Sequence, residues 1–66
     1  MELTPTEELL IEGLTAFEVS KENTIGVLLF LQTEIQQNLL IDYMRNHQEA
    51  TEQDILQEMK RILRMK

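Results

Sequence analysis

The chain has 66 residues, with twelve Asp/Glu, six Lys/Arg, one His and no Cys. This predicts one small acidic domain, residues 1–66, and excludes a disulfide or a thiolate-held zinc. A folded chain of this size buries only about 60% of its unfolded surface, so tight helix packing or association must replace the missing covalent staple. The net charge of −6 repels phosphate backbones and penalises generic nucleic-acid binding.

The charge is uneven. Residues 1–33 hold Glu2, Glu7, Glu8, Glu12, Glu18 and Glu22 against Lys21 alone, whereas Arg45, Lys60, Arg61, Arg64 and Lys66 nearly balance the acids of residues 34–66. The opening Met1-Glu2-Leu3-Thr4-Pro5 lacks the basic-then-apolar pattern of a secretory signal. The longest apolar run, Ile25–Leu31, is far short of the about 20 residues that a membrane span needs. A cytoplasmic location is the resulting expectation.

Thr4-Pro5-Thr6-Glu7 opens the first helix. Thr4 caps, Pro5 suits the first helical position and Glu7 completes a capping box. Leu10, Leu14 and Phe17 then recur at helical spacing, with Leu9 and Ile11 beside them. Gly13 either sits inside a helix running to about residue 18, the preferred reading, or ends a short one near residue 12. Ser20 or Asn23 caps a second helix that contains Ile25-Gly26-Val27-Leu28-Leu29-Phe30-Leu31. That run is apolar on every face, and a lone strand would have no partner for its backbone groups. A helix so apolar must be covered on most sides, which places it at the centre of the fold.

Thr33-Glu34-Ile35-Gln36 is a second capping box, so a third helix begins there or the second runs through. Ile35, Leu39, Leu40, Tyr43 and Met44 are read as one apolar face, with Gln36, Gln37, Asn38, Asp42, Arg45 and Asn46 mostly opposite. Asn46 to Ala50 form a connection. Thr51 caps the last helix, whose stripe is Ile55, Leu56, Met59, Ile62 and Leu63 and whose cationic end suits the helix dipole. The expected fold is an all-α bundle of three or four short helices, completed by self-association.

No pattern of catalytic, cofactor-binding or metal-ligating residues emerges, and neither an enzyme nor a cofactor is expected. His47 lacks a positioned partner and reads as a solvated or dipole-facing loop histidine. Glu8 and Glu12 share a helix face, yet calcium sites use loops of closely spaced oxygens, so a solvated acidic face is the reading. Met44, Met59 and Met65 are either plain core or an adaptable groove lining. Tyr43 is expected half-buried, and Gly26 is either a point of close backbone approach or merely permissive.

The functional expectation is a protein–protein interaction module that associates with itself as a homodimer. Two or three short amphipathic helices cannot easily enclose the run Ile25–Leu31, and a second copy is the simplest cover. The interface residues expected are Val27, Leu28, Phe30 and Leu31, with Ile55, Met59 and Leu63 from the last helix. Two alternatives stand beside it. One is a small helix-turn-helix DNA-binding regulator, although the last helix would begin on acids. The other is an acidic inhibitor or antitoxin-like protein that occupies a basic surface through Glu7, Glu8, Glu12, Glu18 and Glu22.

Overall fold

The computed structural model describes residues 2–65 and shows four helices with no strand among them: α1 (Pro5–Ala16), α2 (Lys21–Phe30), α3 (Glu34–Asn46) and α4 (Glu52–Arg64). Each starts at a side-chain cap. Thr4, Thr33 and Thr51 each accept from the backbone N–H three residues on, while Glu7, Gln36 and Asp54 reach back to the cap N–H. Ser20 caps α2 by accepting from Asn23 N–H at 3.2 Å. Four capped starts satisfy amide donors that a helix cannot satisfy internally. They explain how a chain this short keeps four separate helices.

The end of α1 is closed by backbone geometry. Glu18 N–H donates to Thr15 O and Val19 N–H to Leu14 O, both at 3.0 Å, and Glu18 lies at φ 61°. This is a Schellman closure whose left-handed position usually holds glycine. Val19 is buried with Leu14 in the apolar cluster that this turn closes. The helix thus stops at Ala16, short of the expected residue 18, and Gly13 lies inside it. A Cβ on Gly13 would stand 2.8 Å from Met44 Cε, so the glycine lets α3 come close to the α1 backbone.

The helices meet in a ring, α1 against α3, α3 against α4, α4 against α2 and α2 against α1. Thr6 Oγ1 donates to Glu34 Oε1 at 3.3 Å near the starts of α1 and α3, while Gly13 faces Met44 near their ends, so these two helices run parallel. Leu10, Leu14, Val19, Val27, Leu31, Leu40, Ile41, Met44, Ile55, Met59 and Ile62 form the core. The radius of gyration of 10.7 Å equals the roughly 10.8 Å expected of a compact chain this long. Surface left uncovered is therefore not a result of loose assembly.

Helices α2 and α3 are separate, divided by Leu31–Thr33. Two glutamines make this corner. Gln32 Nε2 donates to Leu29 O at 3.0 Å and Gln37 Nε2 to Leu31 O at 2.8 Å, serving carbonyls at the end of α2 that have no glycine or cation to meet them. Gln37 is thereby drawn into the core, with Oε1 left unpartnered, and not placed on the polar face. The inward row of α3 is Gln37, Leu40, Ile41 and Met44, at the i, i+3, i+4, i+7 spacing. Ile35 and Leu39, expected on the same face as Leu40 and Met44, instead point about half a turn away; Ile35 is 75% exposed.

The expectation that Ile25–Leu31 is the centre of the fold also needs correction. Only Val27 and Leu31 are fully buried in that run, and Leu28 is half-buried. The ring gives α2 two neighbours; Ile25 and Leu29, about half a turn from Val27, face away from both, and Phe30 lies on a flank. Ile25, Leu29 and Phe30 are 58%, 65% and 58% exposed.

Candidate functional site

Among the described residues, two surface features stand out: the outward face of α2 and a groove between α1 and α3. On α2, Ile25 and Leu29 are four apart and stack on one side of the helix. The helix has no charged residue after Glu22. Its register against α4 is set by Glu52, whose Oε2 accepts from Ser20 N–H at 2.9 Å and from Asn23 Nδ2 at 2.7 Å. The Ser20 N–H, followed by the Asn23 amide, holds the Glu52 carboxyl below its ordinary pKa. Phe30 follows Asn23 by seven residues and thus lies on the flank turned toward α4. On α4, Leu56 and Leu63 share the flank of Glu52, and Leu63 is 38% exposed.

The seven interface residues read from the sequence fall into two groups. Val27, Leu31, Ile55 and Met59 are spent on the core of the single chain, and Leu28 packs against it half-buried. Phe30 and Leu63 reach solvent. Ile25 and Leu29 complete the exposed face and were missing from the expected set. Their i, i+4 pairing was visible in the sequence, but so was that of Val27 and Leu31. Two apolar rows on one helix do not say which turns inward.

The groove has a volume of about 630 Å³ and lies where α1 and α3 end. Gly13, Ala16, Ile41 and Met44 line it, with Phe17 and Ala50 at the end nearest the α3–α4 connection and Leu9 at the other along α1. Glu12 and Glu18 stand on it from the α1 side, and Arg45 and Gln48 from α3 and the turn after it. Sequence reading found the acids and noted Met44 as a possible groove lining. It could not place them around one depression, because the groove exists only where Gly13 admits α3.

Opposite the groove side of α3, Tyr43 and His47 stack with ring centroids 4.2 Å apart, and His47 Nδ1 donates to Tyr43 O at 3.0 Å. This makes His47 the C-terminal cap of α3, facing the helix carbonyls as expected. Burial, then the nearby carboxylates Asp54, Glu58 and Glu49, raises the Tyr43 pKa and keeps the phenol protonated. Glu58 pairs with Arg61 one turn on along α4, and that hydrogen bond holds its carboxyl below the ordinary range. The described residues contain no group of three potential metal ligands. No described helix is long and apolar enough to cross a membrane.

No family model, curated protein or solved structure matches the chain.

Proposed function

We propose that this chain is a protein–protein interaction module that associates with itself as a homodimer through the outward face of α2. The observation that carries the reading is the exposure of Ile25, Leu29 and Phe30 on a helix whose last six residues, Ile25–Phe30, include no polar side chain. An apolar stretch of helix in water is stable when covered on most sides, and here α1 and α4 leave the side of Ile25 and Leu29 open. Covering the exposed part of three such side chains is worth about 1–2 kcal/mol each before the cost of association, and Leu63 on the adjoining flank of α4 extends the surface. A two-fold arrangement sets this face against itself, so one sequence feature supplies both halves of the contact.

Leu29→Glu tests the reading. It places a charge at the centre of the face and touches nothing in the core. The expected result is a halved solution mass with unchanged helical circular dichroism. A variant that keeps the mass of the parent protein would refute the α2 face as the contact. The DNA-binding alternative has little to support it, since the first turn of α4 holds Glu52 and Asp54, which would meet phosphates of like charge.

A further inference from the structure

We infer that the α1–α3 groove is a docking site for a basic amphipathic helical segment of another protein, separate from the self-association face on α2. Shape and charge both support this. The groove is an open depression of about 630 Å³, and its lining sets the apolar Gly13, Ala16, Phe17, Ile41 and Met44 beside the polar Glu12, Glu18, Arg45 and Gln48 in nearly equal share. Met44 is unbranched and adaptable, and because Gly13 has no side chain, the Met44 methyl can lie against α1.

Charge selects the occupant. Glu12 and Glu18 stand at the groove on the α1 side, and Arg45 is the only base lining it among the described residues. Helix α1 contains Glu7, Glu8 and Glu12 with no Lys or Arg. Turn residues Gln48 and Ala50, both in the groove wall, flank exposed Glu49. A partner with leucines on one face and lysines or arginines beside them matches apolar lining with apolar side chains and carboxylates with cations, as helix-in-groove recognition requires. One further detail agrees. Glu18 occupies a left-handed backbone position, φ 61°, that stability alone would give to glycine. The Glu18 side chain places a carboxylate on the rim at a strained backbone position, where functional residues are commonly found.

The test is fluorescence anisotropy with a labelled 14-residue leucine–lysine amphipathic helix titrated with the full-length protein. Saturable binding that weakens as salt is added is expected. The Glu12→Gln/Glu18→Gln double variant should bind about three- to tenfold more weakly, the scale of two exposed ion pairs. A Glu2→Gln/Glu22→Gln control removes the same charge elsewhere and should change affinity little. Leu29→Glu should leave peptide binding intact while disrupting self-association, which separates this inference from the proposed homodimer. The inference is overturned by absent binding, by equal weakening in the two charge variants, or by loss of binding in Leu29→Glu alone. The last result would assign the peptide to the α2 face.

Discussion

Replacing Glu18 by glycine should make this protein more stable and its groove less effective. At φ 61° an L-residue with a Cβ carries about 1–2 kcal/mol of backbone strain. Glycine carries none, but its unfolded state is more flexible by roughly 0.5–1 kcal/mol. At the middle of these ranges the difference leaves a net gain of about 0.75 kcal/mol for Glu18→Gly. In a domain of this size that raises Tm by about 3–6 °C. The substitution also removes a carboxylate from the carbonyl end of α1, where no base offsets it, which adds to the gain. Glu18→Ala separates the two effects, since it loses the charge and keeps the strain. Thermal and urea unfolding followed by circular dichroism would measure all three proteins. The order of stability expected is glycine above alanine, with alanine near the parent. A glycine variant no more stable than the parent would refute the strain argument. An alanine variant matching glycine would assign the gain to charge alone. The same glycine variant should bind the basic peptide less well.

Other consequences follow from single positions. Gly26 lies inside α2, and a Cβ there would meet nothing within 4 Å, so Gly26→Ala should stabilise by about 0.8–1 kcal/mol in urea unfolding, the helix-propensity difference. A loss would mean that something covers that position. Glu52 ties the start of α2 to α4, and its folded pKa is depressed. The stability it contributes is therefore present above the ordinary glutamate range and lost as pH falls through the lower folded value. Glu52→Gln should lower stability at neutral pH and flatten the acid limb of the stability curve. An acid limb identical to the parent's would show that the carboxylate is not the group titrating there.

Much of the fold was legible because its signals were local. Threonine caps marked three helix starts, two of them with a reaching Glu or Gln three residues later, and of the α4 stripe Ile55, Leu56, Met59, Ile62 and Leu63 the residues Ile55, Met59 and Ile62 are buried while Leu63 is exposed. Orientation failed where both sides of a helix were apolar. On α2 the row Val27–Leu31 competed with Ile25–Leu29, and on α3 the row Leu40–Met44 with Ile35–Leu39. Which row turns inward depends on the neighbouring helices, through contacts distant in sequence. Gln37 misled for another reason: its amide is needed by the Leu31 carbonyl, and no periodicity scale registers a carbonyl six residues away. The groove was invisible in one dimension, since its acids come from α1 and the α1–α2 turn while its floor comes from α1 and α3. Only the close approach at Gly13 joins them.

The most direct test of the central proposal is the solution mass by light scattering after size exclusion, over a range of concentrations and beside Leu29→Glu. The account predicts a species of twice the 7.8 kDa chain mass for the parent and a folded 7.8 kDa species for the variant. A parent that stays at 7.8 kDa up to tens of micromolar would contradict it, and would mean that Ile25, Leu29 and Phe30 remain exposed or meet a different protein.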